Sequence, residues 1–413
     1  MCQKNTMQLH SDSSRKESNS KSWERAVLLG MLNVLTVIFL GIPVFVFGLY
    51  GVILLHFGLS KKKERDEKDD LFEPSVSIIV PTHNEEMIIA KKIENISRLD
   101  YPKEKLEVIF VDDSSDSTPK IIEEQSRNSP HSHLIRFDQR MGYSPSMIAG
   151  CQAAKNEIIV YAEAGSFMDA GAIRNLVRHF RDPVIGLVTG RSVIMNVEDE
   201  IGKAEKSYLQ MADFLRMAES RMDSTFWVKG EATAVRAELI KDLDKCNATF
   251  DNTSALWVRQ KRYKAIFDPD VKFYEVAPKT YKDWSKQKTI RAANWMKMLL
   301  RFKGMFFKRR YGLFGCLTLP MQFSMLVVVP IALLLGMTCL AVLTFFDFAF
   351  ALPIWVLLLC ILLVSFIFNR KIPATFFEFE YVLLRALYQI TFTRTEHDKI
   401  DKAVSTRTND QTQ

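Results

Sequence analysis

The chain lacks a Cys-x-x-Cys pair. Its six cysteines, Cys2, Cys151, Cys246, Cys316, Cys339 and Cys360, are scattered, and three lie in or beside apolar runs. That pattern speaks against both a disulfide framework and a zinc site. No Gly-x-Gly-x-x-Gly follows the first buried strand, which argues against a dinucleotide-binding dehydrogenase. Two local absences say more. Ala26–Leu59 contains no Asp, Glu, Lys or Arg, and Lys286–Arg310 contains no Asp or Glu against nine Lys and Arg. The net charge of +7 is therefore concentrated beside apolar segments. This directs it toward a membrane surface rather than toward nucleic acid. The mean hydropathy of -0.01 averages very polar and very apolar stretches.

The 413 residues leave room for two or three domains. Residues 1–26, rich in Ser, Lys, Asn and Gln, read as a disordered tail. Residues 27–58 read as a transmembrane helix, because about 20 apolar residues suffice to cross a bilayer. Gly41, Pro43, Gly48 and Gly51 inside it favour a tilt or kink. The run is too long for a signal-peptide core and shows no small-residue cleavage site. Residues 59–74 form a charged linker around Lys61–Asp70. A polar and apolar mixture at 75–285 reads as a soluble domain, and 286–315 as a basic amphipathic helix on anionic headgroups. Residues 316–393 hold two further spans, Cys316–Phe346 and Phe348–Phe368, and an interfacial or re-entrant helix at Ala374–Phe392 that carries Glu378, Glu380 and Arg385. A polar tail fills 394–413. Both feet of the hairpin are basic and its tip carries only Asp347, which places the feet and the soluble domain in the cytoplasm. Sequons at Asn95, Asn247 and Asn252 carry little weight on that side.

Within the soluble domain, Val76–Val80 is a β-branched run closed by Pro81 and the polar cluster Thr82-His83-Asn84-Glu85-Glu86. Met87–Ile96 has apolar residues at helical spacing, with Lys91 and Lys92 read on the other face. Leu106–Val111 is a second buried strand, ending in Asp112-Asp113-Ser114-Ser115-Asp116. This is a βαβ unit with two polar loops at the carboxyl ends of parallel neighbours, where open α/β sheets bind ligands. Further along, Glu157–Tyr161 is a strand that ends in Ala162-Glu163-Ala164-Gly165-Ser166. Ala204–Asp223 is a helix with Tyr208, Met211, Leu215 and Met222 on its apolar face. The bare alternative is a generic Rossmann-like unit with polar turns.

A strand ending Val-Pro-x-x-Asn-Glu, followed by one ending Val-Asp-Asp-Ser-Ser-x-Asp, resembles the donor half of a family 2 glycosyltransferase. The resemblance implies an α/β, GT-A fold, Rossmann-like with a mixed, mostly parallel sheet, plus transmembrane helices. It implies that Pro81, His83, Glu85, Asp112, Asp113 and Arg140 cradle the donor. Carboxylates accept from base N–H and ribose hydroxyl groups. Counting back twelve from Tyr263 reaches Asp251, the family's general base. The base reading stands beside a second one, a helix cap. Gly230 in Trp-Val-Lys-Gly-Glu-Ala, and Gln287 and Arg291 in the later Gln-x-x-Arg-Trp element, would border the acceptor and diphosphate.

Several family positions differ. The family's Asp-x-Asp is Glu163 and Gly165 here. Glu163 can ligate Mg²⁺ or Mn²⁺ through oxygen and Gly165 cannot, so Glu163 as metal ligand and Glu163 as a polar loop residue both stand. The Lys of Arg-x-Gly-Lys is Tyr143, Phe250 replaces an acid, and Ile290 replaces Arg. The expected function is a membrane-bound inverting glycosyltransferase. It would move a sugar from a nucleotide- or polyprenyl-phosphate-activated donor to a lipid-linked or glycan acceptor at the cytoplasmic face. The alternative is a catalytically impaired relative that binds a nucleotide-sugar or a partner transferase.

Overall fold

The computed structural model describes residues 2–60, 72–127, 131–241, 250–368 and 371–392. Lys61–Asp70, Cys246, the sequon at Asn247 and the tail at 394–413 lie outside them. Two compact units are present. One comprises Val52–Phe323 with Ala386–Gln413, the other Met1–Gly51 with Ser324–Arg385.

The larger unit is built on an eight-stranded sheet of order β3-β2-β1-β4-β7-β6-β8-β5. The strands are β1 (Val76–Thr82), β2 (Leu106–Asp112), β3 (Ser132–Arg136), β4 (Ile158–Tyr161), β5 (Phe167–Met168), β6 (Ile185–Ile194), β7 (Thr233–Arg236) and β8 (Lys264–Glu275). After the long N-terminal helix α1 (Cys2–Leu59), the helices around the sheet are α2 (Ile89–Ser97), α3 (Thr118–Ser126), α4 (Tyr143–Ala153), α5 (Ala172–Val177), α6 (Glu200–Met222), α7 (Ala237–Ile240), α8 (Phe250–Gln260) and α9 (Tyr281–Arg301). β3, β2, β1 and β4 run parallel, and β7 lies antiparallel to both β4 and β6. In β1 and β2 alternate side chains enter opposite cores. Ile78, Val80, Val108 and Phe110 join one core, and Ile79, Ile109 and Val111 join the other. Burial on both faces explains why these strands read as unbroken apolar runs rather than alternating ones. The register sets Thr82 opposite Asp112, so the two polar loops emerge side by side.

Three expectations are corrected. Lys92, read as solvent-facing, is fully buried. It lies on α2, three residues after Ile89 and four before Ile96, and that spacing places it on the buried face with both. Helix α6 leaves Met211 exposed and instead buries Glu205, Asp213, Arg216 and Glu219. These are partnered: Arg216 Nη1 donates to Gly190 O at 3.1 Å and Arg216 pairs with Asp213, while Glu219 accepts from Gln322 Nε2 at 2.6 Å. Satisfied polar groups tolerate burial that unpaired ones do not. Finally, the basic helix starts before residue 286. It is α9, capped by Thr280, whose hydroxyl accepts from Asp283 N at 3.1 Å. One face of α9 packs on the domain through Trp284, Lys288, Ala292 and Met296, and Lys288 donates to Glu205 at 2.8 Å.

Asn95 holds its place by side-chain bonds rather than by exposure. Its Nδ2 donates to Met168 O and its Oδ1 accepts from Met168 N, both at 2.9 Å.

Most of α1 belongs to the smaller unit, and the helix continues through the residues expected as a disordered tail. Once a helix is nucleated, each added residue costs little. Among the described residues three helices are long and apolar enough to cross a membrane, Trp23–Leu59, Phe314–Phe346 and Phe348–Ile367. The second contains wider π-turns at Phe314–Thr318 and Ser324–Val328, each ending two residues before a proline, Pro320 and Pro330. Proline breaks the regular bond ladder, and π-turns absorb the break. Asn33 Nδ2 donates to Asp347 Oδ2 at 3.1 Å, which ties the first span to the hairpin tip. The stretch expected to be interfacial is a helix, Lys371–Phe392.

Candidate active site

The two loops at the ends of β1 and β2 are welded together. Asp112 is buried, and its Oδ1 accepts from Thr82 Oγ1 at 2.7 Å and from Ser114 Oγ at 2.6 Å. Asp113 Oδ1 lies 2.8 Å from His83 Nδ1, while its Oδ2 accepts the amides of Met141 at 2.7 Å and Gly142 at 3.0 Å. Asn84, at φ 56, accepts Ser115 N at 2.9 Å. Pro81 and Glu85 are half-buried beside them, and burial together with Asp116 raises the Glu85 carboxyl above its usual range. Both aspartates therefore commit hydrogen-bonding capacity to shaping the loops. Asp113 also fixes the segment after Arg140, whose side chain is exposed. Pro81, His83, Glu85, Asp112, Asp113 and Arg140 lie at the carboxyl ends of β1 and β2 and in the loop after β3. Asp112 acts there as a loop brace.

A second cluster assembles from several distant segments. Asp251 lies in the first turn of α8, where the helix's positive end favours a carboxylate. Tyr143 opens α4, and its hydroxyl donates to Asp251 Oδ1 at 2.8 Å. Gly230 makes this approach possible, since a Cβ there would stand 2.6 Å from both Asp251 Oδ2 and Tyr143 Oη. Burial pushes the Asp251 carboxyl up to about 7. The Tyr143 hydrogen bond opposes this, Glu231 reinforces it, and Arg291 and Lys229 oppose it. Glu163 is raised well above the carboxylate range, chiefly by burial and then by Glu231 and Asp251. For Glu275 burial acts upward, but Lys229, Ser192 and Arg291 outweigh it and hold the carboxyl down. Arg291 faces Glu231, Glu275, Glu163 and Glu205, which outweigh burial and keep its guanidinium firmly charged. Lys92 reaches the same loop from below, donating to Ser166 O at 2.7 Å. Burial pulls its pKa down to about 7 against the pull of Glu163 and Glu231.

Sequence reasoning named Glu163, Asp251, Gly230 and Arg291, and all four fall in this cluster. Gln287 is exposed one turn before Arg291. Glu231, Glu275, Lys229 and Lys92 were missed as site residues. Glu231 and Lys229 flank Gly230, so adjacency could have flagged them. Lys92 carried only the helical-spacing signal. Phe250, at a position expected to be acidic, is a core residue that meets the Tyr161 ring edge-on at 5.1 Å.

The cluster does not fit a protein-held divalent cation. Among the described residues no three His, Cys, Asp or Glu side chains are arranged to hold one. Asp169, the next carboxylate along the chain, accepts from Tyr274 Oη at 3.2 Å and Gly171 N at 3.2 Å. Glu163 is left with Arg291 and Lys92 as its positive neighbours. Hard cations need several oxygens, so donor-free Mn²⁺ or Mg²⁺ affinity is expected to be on the order of millimolar or weaker. Gly165 has room for a side chain, since a Cβ added there would meet only Ile88 Cδ1, at 3.9 Å. Gly165→Asp is therefore expected to tighten Mn²⁺ binding measurably in isothermal titration, and unchanged affinity would count against Glu163 as a ligand.

A mixed sheet with paired polar loops at the carboxyl ends of β1 and β2, together with an acid-rich cluster, defines a GT-A-type domain. Residues 77–244 match the profile described as Glycosyl transferase family 2. Asp251 and Arg291 lie beyond the matched stretch. The chain is 28% identical over 247 residues to a probable glycosyltransferase, YdaM, of Bacillus subtilis, covering 57% of this chain and 58% of that protein. It is 25% identical over 219 residues to a beta-monoglucosyldiacylglycerol synthase of Trichormus variabilis, covering 51% and 46%. The chain thus spans about half the length of the curated relatives it matches. Among solved structures, it superposes on the mannosyltransferase PcManGT from Pyrobaculum calidifontis, solved with GDP-Man and Mn²⁺. The TM-score is 0.71 at 23% identity, covering 89% of this chain and 100% of that one. That likeness establishes the fold.

Proposed function

We propose that the chain is a membrane-bound inverting glycosyltransferase that takes a nucleotide-sugar donor and a lipid-linked or glycan acceptor. The observation that carries this reading is the convergence of Asp251, Glu163, Glu231 and Arg291 in one cluster, in a domain whose donor-side loops are braced by Asp112 and Asp113. Pro81, His83, Glu85 and Arg140 line the nucleoside end. Asp251 takes the proton of the acceptor hydroxyl as its oxygen bonds to the anomeric carbon, and the carbon–oxygen bond to the donor phosphate breaks. Arg291 and Lys229 supply positive charge for the departing diphosphate. Gly230 and Gln287 border the acceptor. A panel of nucleotide-sugars tested for thermal stabilisation, then for transfer, examines the reading. No stabilisation by any of them would remove it.

A second reading, a donor-binding chain of impaired turnover, is favoured by the Tyr143 hydroxyl lying on Asp251. The pH dependence separates the two. With Asp251 as base, turnover is expected to fall as pH drops through about 7, because protonation removes the base. Tyr143→Phe deletes a hydrogen bond that stabilises the carboxylate, so its acid limb should move to higher pH. A profile that does not move, or an absence of turnover in both proteins, favours the impaired reading.

The soluble unit is assigned to the cytoplasm on the basic feet of the hairpin. A single cysteine introduced at exposed Lys282, in a background without other cysteines, should react with an impermeant maleimide only after cells are permeabilised. Labelling of intact cells would reverse the topology.

A further inference from the structure

Outside the candidate active site, a strongly basic surface segment joins α9 to the candidate span that begins at Phe314. Arg301, Lys303, Lys308, Arg309 and Arg310 give five cations within 301–310, with no acid among them, and all five are exposed. The segment is not a loose loop. It folds into two 3₁₀ turns, Lys303–Met305 and Arg309–Tyr311. Arg259 Nη2 donates to Tyr311 O at 2.7 Å, and Asp223 Oδ2 accepts from Phe314 N at 3.0 Å. Phe307 N donates to Gly315 O at 2.9 Å. The backbone that carries the cations is thereby fixed just before the candidate span.

Beneath them lies a cavity of about 280 Å³ whose walls include Trp257, Arg301, Phe302, Met305, Arg310 and Tyr311. Among the described residues no carboxylate lines it. The Arg310 guanidinium stacks on the Tyr311 ring at 4.7 Å, which leaves its N–H edges for an anion. Trp257 Nε1 is buried without an acceptor among the described residues, an uncommon state for an indole N–H. Leu300, Phe307 and Leu313 are exposed at 46%, 73% and 46%. Phe307 takes φ 58, a left-handed conformation that a bulky residue adopts only at a cost.

Fixed guanidiniums over aromatic walls, flanked by exposed apolar side chains, suit a ligand with an anionic head and an apolar body. Arginine pairs with phosphate bidentately, and apolar residues among cations seat at the headgroup boundary. The groove ends at Tyr311, three residues before the candidate span begins at Phe314, which sets it at headgroup depth. We propose that this groove is a binding site for the phosphate of an anionic phospholipid, separate from the donor and acceptor cleft and independent of the reaction assigned there.

The test uses the full chain in nanodiscs of phosphatidylcholine, with or without phosphatidylglycerol, and native mass spectrometry of the detergent-purified protein. Phosphatidylglycerol is expected to raise the melting temperature and to be retained through purification. Arg301→Gln with Arg310→Gln, both exposed positions, should weaken lipid affinity about thirtyfold and abolish the shift. The circular dichroism spectrum of the double variant in phosphatidylcholine should stay as in wild type. Trp257→Phe, which removes the indole N–H and part of the aromatic wall, serves as a second variant and should weaken retention several-fold. Equal retention by wild type and both variants would overturn the site. Complete displacement of the lipid by inorganic phosphate would overturn the lipid assignment in favour of a free-anion site.

Discussion

Asp251→Asn is expected to lower turnover by at least about a hundredfold, the usual scale for losing an acid–base group, while donor-induced thermal stabilisation persists. The amide oxygen can still accept from Tyr143, so the 2.8 Å contact has a replacement. The expected stability change separates this role from a structural one. The folded-state carboxyl of Asp251 is raised to about 7 by burial, so keeping it ionised costs folding free energy above its unfolded pKa, and that cost is complete above about 7. The asparagine removes the cost. The variant should melt at the same temperature as wild type or higher at mildly alkaline pH, and lose its advantage as pH falls toward the ordinary aspartate range. A large drop in melting temperature at alkaline pH, with turnover falling only in proportion to unfolded protein, would show that Asp251 is a helix-terminus residue and no base.

Arg291→Met should have the other large effect. Arg291 is the positive charge shared by Glu231, Glu275, Glu163 and Glu205. Removing one partner from a buried charged group leaves the others uncompensated, a loss on the order of 3 kcal/mol. The sign of the pH dependence follows from Glu275, whose carboxyl is held below its ordinary value in part by Arg291. A depressed carboxyl contributes stability above its unfolded pKa and loses it as pH falls through the folded one. The gap between wild type and variant should therefore be widest at neutral pH and narrow in acid, where the carboxylates protonate. Chemical denaturation across pH measures it directly. A gap constant with pH would mean that Arg291 serves by packing alone. Donor affinity should fall in the same variant, because the diphosphate loses a bidentate partner.

The sequence by itself determined the apolar strands, the polar loops after them and the charge-free spans. Each rests on a local regularity: β-branched runs closed by proline or aspartates, and uninterrupted apolar length. Those regularities carried the family resemblance through Pro81, Asn84, Asp112 and Asp113, and the strands appear where expected. Asp251, Gly230, Arg291 and Glu163 were also legible, each from a motif position. What the sequence left open was how charges pair across long separations. Lys92 is 74 residues from Ser166 and Tyr143 is 108 from Asp251, so no periodicity links them. A lysine on a short helix reads as solvated until a backbone carbonyl is found beneath it. Likewise the buried face of α6 looked polar, and only Gln322, Trp284 and Lys288, brought in from the segments that follow the sheet, show why Glu205 and Glu219 can be inside. Tertiary structure alone decided that Glu163, at the family's metal-binding position, is buried among Glu231, Asp251 and Arg291, and that Tyr143, at the family's lysine position, rests its hydroxyl on Asp251. Burial sets the charge state of each of these groups, and burial is a property of the assembled fold.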